Sequence, residues 1–151
     1  MLHKEKHIIS PETFLLIQKL QTLPELKDFF LVGGTALALQ IGHRNSIDID
    51  LFTQNDLDAQ SMTAFLRTKF NVRIDHSGVN TLLTLINNIK VDFIKHPYSY
   101  IKSPITEEGV TFLSKEDIAA MKLNAIINSG QRLKDFIDVY FLLEHFSIEN
   151  M

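Results

Sequence analysis

The sequence predicts an α+β fold in which helices pack on a mixed β-sheet. Segments with helix and strand periodicity alternate in the first half of the chain, strand-like segments follow one another in its middle, and two helical segments come last. The chain has 151 residues, 45% of them hydrophobic, which suits one domain with a real core. We expect a single domain over 1–151, with a core over about 11–113 and C-terminal helices over about 114–146.

Caps, turns and apolar spacing predict the individual elements. Ser10 followed by Pro11 is typical of a helix start, and Ser114 with Asp117 resembles a capping box. The last helix is apolar on nearly every side, so we expect it to be well buried. In chain order the predicted elements are helix 11–21, strand 29–32, helix 35–41, strand 47–52, helix 58–70, strands 71–76, 81–86 and 89–94, a short strand 110–113, and helices 114–128 and 132–146.

Composition excludes several classes of protein. With 15 basic and 18 acidic residues the formal net charge is −3, so no global basic field attracts nucleic acid. Cysteine is absent, which excludes a disulfide framework and a cysteine zinc site. The chain has neither an apolar run long enough for a membrane span nor the apolar stretch of a signal peptide near its N-terminus, and we expect a cytoplasmic protein without a membrane partner.

Two carboxylates one residue apart form the most informative pair in the chain. Asp48 and Asp50 lie in the predicted strand 47–52 and therefore share one face, whereas Ile47, Ile49 and Leu51 share the other and are expected to face the core. Carboxylates this close repel each other unless a positive charge lies between them, and a hard divalent cation meets that need. The alternative is a solvent-facing strand that happens to carry two acids.

A third carboxylate, Asp92, lies in the predicted strand 89–94, where aspartate is disfavoured. Lys90, Asp92 and Ile94 share one face of that strand. Asp92 is either a third metal ligand beside the acidic pair or a surface residue paired with a basic residue across the sheet. Three carboxylates are able to hold two ions about 3.5–4 Å apart.

A glycine pair precedes the predicted helix 35–41. Gly33 and Gly34 allow a sharp bend and a close approach to a ligand, the helix offers free N–H groups, and Thr35 adds a hydroxyl. These features suit a phosphate group, although no Walker or Rossmann pattern is present. The alternative is an ordinary strand-to-helix turn.

Two charged residues in the last helices have a functional and an ordinary interpretation. Lys122 either reaches solvent along an apolar stem or neutralises a triphosphate. Asp138 either pairs with Lys134 one helical turn away or orients a catalytic lysine or acts as a base. The six histidines show no metal-ligand spacing and are interpreted as ordinary residues, with His43 as an exception because of its position between the glycine pair and the acidic pair.

Four stretches carry a family pattern: residues 33–39 (GGTALAL), Gly42-His43-Arg44 with Ser46, residues 48–52 (DIDLF), and Lys134-Asp135 with Asp138-Val139-Tyr140. Together they resemble the AbiEii/AbiGii toxin family, a branch of the DNA polymerase β-like nucleotidyltransferase superfamily that includes toxins of type IV toxin–antitoxin systems. The resemblance covers about residues 29–143.

The resemblance implies a role for each matching residue. The implied catalytic residues are Asp48, Asp50, Asp92, Lys122 and Asp138, of which the first three would bind magnesium. The implied nucleotide-binding residues are Gly33, Gly34, Thr35, Arg44, Ser46 and Lys122. The superfamily usually carries Gly-Ser where this chain has Gly34-Thr35, a departure shared within this branch.

The resemblance also implies the reaction and the partners. Two Mg²⁺ ions would support transfer of a nucleoside monophosphate from an NTP to an acceptor hydroxyl, with a tRNA 3′ end as the expected RNA acceptor and an antitoxin protein as a further partner. A protein hydroxyl or an aminoglycoside is the alternative acceptor. A degenerate binding module and a phosphoester hydrolase are the alternative functions. Many toxins of the family have a longer C-terminal helical region, so the acceptor-binding part is expected to be missing or supplied by another chain.

Overall fold

The computed structural model confirms the predicted α+β class. It describes residues 1–129 and 133–145, with the backbone alone at 126–129, 133–136 and 145. Within these residues the chain forms a mixed seven-stranded sheet and five α-helices. The helices are α1 (Pro11–Thr22), α2 (Gly33–Ile41), α3 (Ala59–Arg67), α4 (Lys115–Ser129) and α5 (Leu133–His145), and the strands are β1 (Phe30–Val32), β2 (Ile49–Thr53), β3 (Val72–Gly78), β4 (Thr81–Ile86), β5 (Ile89–Lys95), β6 (Ile105–Glu107) and β7 (Val110–Phe112).

The strand order places β2 in the middle of the sheet, in the sequence β3-β4-β5-β2-β1-β7-β6. β2 runs antiparallel to β1 and parallel to β5, whereas β3, β4 and β5 form an antiparallel meander. In this register Asp50 lies opposite Val32 on one side and opposite Asp92 on the other. The two acidic residues predicted on different strands are therefore direct neighbours across the sheet.

Alternation along β2 and β5 separates the core from the polar face. Ile49 and Leu51 of β2 and Val91 and Phe93 of β5 are fully buried in one continuous hydrophobic cluster. Because successive side chains on a strand point to opposite faces, the residues between them project to the other side of the sheet. Burial of these aliphatic and aromatic side chains fixes the register, since a slip of one residue would place carboxylates in the core.

Several element ends differ from the sequence-based expectation by a few residues, and three differences bear on the cleft or on the sheet order. Ile47 was expected to face the core but is 62% exposed, because β2 begins only at Ile49. Gly33 and Gly34 lie inside the first turn of α2 rather than ahead of it. The region between the predicted strands 89–94 and 110–113 contains a further strand, β6, which pairs with β7 as a short hairpin.

The last helix is less buried than its composition predicts. In α5 Asp138 and Leu142 are buried, but Tyr140 and Leu143 are exposed. The predicted end of the last helix at 146 and residues 130–132, where that helix was predicted to begin, lie outside the described residues. Within the described part of the chain, no helix combines the length and the apolar character that crossing a membrane requires.

Ser114 caps the start of α4 as predicted, and the contact that Asp117 makes in return is with the Ser114 hydroxyl. The Ser114 hydroxyl accepts from the Asp117 backbone N–H at 3.1 Å and donates to the Asp117 carboxylate at 2.8 Å. The same buried carboxylate accepts from the backbone N–H groups of Ile101 and Lys102, at 2.7 and 3.2 Å. Asp117 therefore joins the loop that follows β5 to the start of α4.

Replacing Asp117 should destabilise the fold strongly. In Asp117→Ala two loop N–H groups and the Ser114 hydroxyl lose their acceptor, so we expect the free energy of unfolding to fall by about 2–4 kcal/mol in urea denaturation. The matched control is Glu116→Ala, whose surface pair with Lys102 should contribute less than about 1 kcal/mol. Equal losses in the two variants would contradict the structural role of Asp117.

Candidate active site

A cleft of about 520 Å³ opens on the polar face of β2 and β5. The start of α2 and one side of α4 close it, and the loop between α2 and β2 contributes the rest of its wall. Most of the residues singled out in the sequence meet here: Gly33, Gly34, Arg44, Ser46, Asp48, Asp50, Asp92 and Lys122 line the cleft. Two others, Thr35 and Asp138, are buried beside it.

The acidic residues lie at one end of this cleft. Asp50 and Asp92 are paired in register on β2 and β5, and Asp48 immediately precedes β2. Burial and the neighbouring charge of Asp92 raise the pKa of Asp50 to about 6, with Asp48 adding to the effect and Lys90 opposing it. The crowding that the sequence predicted for two carboxylates therefore acts most strongly between Asp50 and Asp92.

Lys90 supplies a positive charge directly to this cluster. Its Nζ donates to Asp92 Oδ2 at 2.6 Å, whereas Asp92 Oδ1 is buried and has no hydrogen-bond partner. Burial alone would lower the pKa of Lys90, but the hydrogen bond to Asp92 and the charges of all three carboxylates raise it. The sequence left open a basic partner for Asp92 from across the sheet; the partner lies two residues away on the same strand.

The glycine pair makes room for side chains of the chain itself. Gly33 has φ +74°, and a Cβ at this position would lie 2.5 Å from Asp50 Oδ2. A Cβ on Gly34 would lie 2.1 Å from Arg44 Nη2. Any larger residue would therefore displace an acidic or a basic side chain of the cleft. Gly33 and Gly34 begin α2 and line the cleft together with Arg44 and Lys122, and a helix N-terminus in a cleft with two cations suits an anion.

Thr35 anchors the loop that carries Asp48. The Thr35 hydroxyl donates to the backbone carbonyl of Asp48, and Ser46 Oγ lies 2.6 Å from Thr35 Oγ1. Because a hydroxyl has one proton, Ser46 is the donor in the second contact. Both hydroxyls are buried and engaged with each other and with the chain. Their visible role is to fix the position of Asp48.

Asp138 lies at the centre of a buried cluster of cationic and imidazole groups. Its carboxylate is 0% exposed and accepts from His43 Nε2 at 2.5 Å, from Arg44 Nε at 2.8 Å and from Arg44 Nη2 at 3.1 Å. Lys122 Nζ lies 2.8 Å from the second oxygen. Burial alone would raise the pKa of Asp138, but the hydrogen bonds from these three residues outweigh it and hold the pKa far below its ordinary range.

This cluster connects three parts of the fold. Arg44 follows α2, Lys122 lies on α4 and Asp138 on α5, and the first two line the cleft. Sequence reasoning offered Lys134 as a partner for Asp138; the side chain of Lys134 lies outside the described residues. The contacts to His43 and Arg44 span more than ninety positions, so no local pattern reveals them.

The carboxylate oxygens of the cleft suit a divalent cation in their chemistry but not in their present arrangement. In residues 1–129 and 133–145, no three acidic or histidine side chains stand together in an arrangement that would hold a metal ion as they are placed. The chemistry of the site nevertheless fits one: the donors are carboxylate oxygens, Asp92 Oδ1 lacks a partner, and Asp50 is destabilised in its charged form by Asp92 and Asp48. A cation between these oxygens would relieve that repulsion.

Sequence reasoning missed the ring-bearing side of the cleft. Phe52 and His96 both line it and stack on each other, with ring centroids 5.4 Å apart and an interplanar angle of 20°. Tyr98 meets His96 edge-on at 4.8 Å. Burial lowers the pKa of His96, which favours the neutral ring. The period-2 pattern that places Phe52 with Asp50 and His96 with Asp92 was a signal available in the sequence.

Comparison with known proteins identifies the family. The family described as "Nucleotidyl transferase AbiEii toxin, Type IV TA system" matches residues 15–151. The chain belongs to the AbiEii nucleotidyltransferase toxin family. This finding confirms the resemblance drawn from the glycine and acidic motifs.

A curated protein from another source is similar to this chain over most of its length. The chain is 34% identical over 131 residues to the uncharacterized protein aq_aa25 of Aquifex aeolicus (strain VF5). The match covers 84% of this chain and 63% of the relative, so the chain spans less than two thirds of that protein's length.

Several solved structures share the fold of this chain. The Megavirus polyadenylate synthase matches with a TM-score of 0.62 at 17% identity, over 88% of this chain and 31% of that one. JHP933 from Helicobacter pylori matches with a TM-score of 0.62 at 18% identity, over 91% and 68%. ANT(2")-Ia in complex with adenylyl-2"-tobramycin matches with a TM-score of 0.61 at 15% identity, over 91% and 88%. At these identities the likeness establishes that this AbiEii-family chain has the same fold as those proteins.

Removing the charge of Asp50 should stabilise the protein at neutral pH. The pKa of Asp50 rises from 3.8 to about 6 on folding, so the stability contributed by this group is complete below pH 3.8 and is lost as the pH rises through 6. With a chelator present, the free energy of unfolding of Asp50→Asn should be roughly 1–3 kcal/mol higher than that of wild type at pH 7, and the difference should vanish near pH 4. Asp75→Asn, at an exposed site on β3, is the control. A pH-independent difference would contradict the assignment.

Removing Asp138 should destabilise the protein. Asp138→Ala leaves Arg44 and Lys122 without the carboxylate that they share, and losing one partner of a buried ion pair costs about 3–5 kcal/mol. Chemical denaturation should show this loss, whereas Glu144→Ala, at an exposed position on the same helix, should change stability by less than about 0.5 kcal/mol. A loss below about 1 kcal/mol for Asp138→Ala would contradict the cluster.

Proposed function

We propose that this protein is a metal-dependent nucleotidyltransferase that moves a nucleoside monophosphate from an NTP to the hydroxyl of an RNA acceptor such as a tRNA 3′ end. The observation that carries the proposal is the pairing of Asp50 with Asp92 across two parallel strands, in a cleft that Asp48 also lines. Membership of the AbiEii family supports the reaction class.

Asp48, Asp50 and Asp92 would hold the metal, for which Mg²⁺ is our proposal, with two ions as the expected number. Bound Mg²⁺ would make the acceptor hydroxyl a better nucleophile and offset the charge that develops on the triphosphate. Asp92 Oδ1 is a buried carboxylate oxygen without a hydrogen-bond partner, and we assign it either to the metal or to the proton of the attacking hydroxyl.

The triphosphate would lie between the first turn of α2 and the basic residues of the cleft. The N–H groups near Gly33 and Gly34 and the positive end of the helix dipole favour a phosphate group. Arg44 and Lys122 would neutralise it, and Asp138 would act as a positioning residue that holds both side chains in place. Catalysis by such a site consists mostly of orientation and charge stabilisation.

The attack would join the acceptor oxygen to the α-phosphorus, and the bond from that phosphorus to the bridging oxygen of pyrophosphate would break. The proton of the acceptor hydroxyl would pass to a base in the cleft. The rings of Phe52 and His96 support an acceptor or donor that carries a nucleobase, since bases stack on aromatic side chains. We also propose an antitoxin protein as a partner and a cytoplasmic location, which the toxin–antitoxin context of the family supports.

A labelling assay tests the proposal. The protein is incubated with each α-³²P-labelled NTP, Mg²⁺ and bulk tRNA, and the label is followed on a denaturing gel. We expect label on the RNA with one or more of the NTPs, and a loss of at least about a hundredfold in Asp48→Ala, because electrostatic groups of this kind contribute at least that much. Asp75→Ala on β3 is the matched control and should retain activity.

Each other outcome names an alternative. Labelled nucleotide released without attachment would indicate a hydrolase. No transfer to RNA, with transfer to added aminoglycoside or to protein, would replace the acceptor and retain the reaction class. No transfer at all, with wild type and Asp48→Ala alike, would overturn the proposal in favour of a binding module.

A further inference from the structure

The cleft contains a side chain that competes for the proposed metal ligands. Lys90 and Asp92 lie two residues apart on β5 and share a face, and the ammonium donates to Asp92 Oδ2 at 2.6 Å. The charges of Asp50 and Asp48 also act on Lys90. Lys90 is thus the counter-ion of the same carboxylates to which the proposed function assigns the metal.

We propose that Lys90 is a displaceable internal cation: it neutralises the acidic cluster when no metal is bound, and a divalent ion must take Asp92 from it on binding. The inference rests on the proposed function, because it concerns the same carboxylates. It makes Lys90 a positioning residue, whose effect appears in metal affinity and in the stability of the metal-free protein.

The state of Asp92 supports this exchange. One carboxylate oxygen is engaged by Lys90, while the other is buried without a partner. A carboxylate that accepts a short hydrogen bond from an ammonium offers less charge to a metal than a free one, so ligation has to compete with that bond.

The side chain of Lys90 is suited to leave. It is 46% exposed, whereas that of Asp92 is 10% exposed, so the ammonium reaches water without opening the core. Lysine carries its charge on a flexible stem with rotatable donors, so the ammonium of Lys90 turns away once its hydrogen bond to Asp92 breaks. By contrast, Arg44 and Lys122 are held in place by their contacts with the buried carboxylate of Asp138.

Two effects follow from this exchange. Without Lys90 the carboxylates repel each other fully in the metal-free protein, which lowers its melting temperature. The same repulsion increases the gain from adding a cation, which raises metal affinity. We expect about a tenfold tighter metal binding in Lys90→Met, a modest effect because the ammonium is half exposed and partly screened.

The test is calorimetric titration of the metal-free protein with Mn²⁺ alone, together with thermal unfolding in a chelator. The variants are Lys90→Met, Lys90→Arg and, as matched control, Lys95→Met, which removes a lysine of the same strand that pairs with Asp56 instead. We expect tighter Mn²⁺ binding and a lower metal-free melting temperature in Lys90→Met, affinity near wild type in Lys90→Arg, and affinity near wild type in Lys95→Met.

The outcomes separate this inference from the proposed function. Equal or weaker Mn²⁺ binding in a folded Lys90→Met protein, with binding still lost in Asp92→Asn, would overturn the role of Lys90 and leave the metal site standing. Mn²⁺ uptake by neither wild type nor Lys90→Met would overturn both. Tighter binding in Lys95→Met as well would show a general charge effect and would also overturn the inference.

Discussion

The parallel pairing of β2 with β5 is the constraint on which the cleft depends. It sets Asp50 beside Asp92, although their repulsion opposes this arrangement. The opposing force comes from the other face, where Ile49, Leu51 and Phe93 are buried in the core. Since side chains alternate along both strands, the apolar residues cannot reach the core unless the carboxylates meet on the polar face. Hydrophobic burial therefore maintains a crowded electrostatic site.

The same residue type behaves in opposite ways in the cleft and beside it. Burial and the neighbouring carboxylates raise the pKa of Asp50. Asp138 is more completely enclosed, yet hydrogen bonds from His43, Arg44 and Lys122 lower its pKa despite burial. The difference lies in the neighbours, because an opposite charge stabilises the ionised form and a like charge disfavours it. A cation would therefore stabilise the charged form of Asp50, whereas Asp138 already pairs with the cationic side chains of Arg44 and Lys122.

Local patterns in the sequence predicted a large part of this arrangement. The strand carrying Asp50, the strand carrying Asp92 and the helix start at Ser114 each depend on residues close together in the chain, and each is present in the structure. Asp48, predicted within the first of these strands, immediately precedes it. Strand and helix ends were less well predicted, as at Ile47, because a strand ends where its pairing ends, and pairing is a property of the sheet.

The contacts that could not be predicted join distant segments. Asp138 meets His43 and Arg44 across 95 and 94 positions, and a single sequence contains no signal for such a pairing. The glycine pair was interpreted in terms of a ligand, whereas Gly33 and Gly34 also leave space for Asp50 and Arg44. The glycine pair thus meets two requirements, a close approach to a ligand and space for the side chains of Asp50 and Arg44. The sequence suggests only the first, because a general glycine pattern exists for ligand binding alone.

The C-terminal helix α5 lies beside the cleft and contacts two of the side chains that line it. The basic residues proposed to meet the triphosphate come from the loop after α2 and from α4. Asp138 of α5 binds Arg44 through two nitrogens and Lys122 through one. A bidentate contact restricts the guanidinium in both position and orientation. A shift of α5 would therefore move both cations together, so the charge that faces a phosphate depends on the packing of a helix outside the sheet.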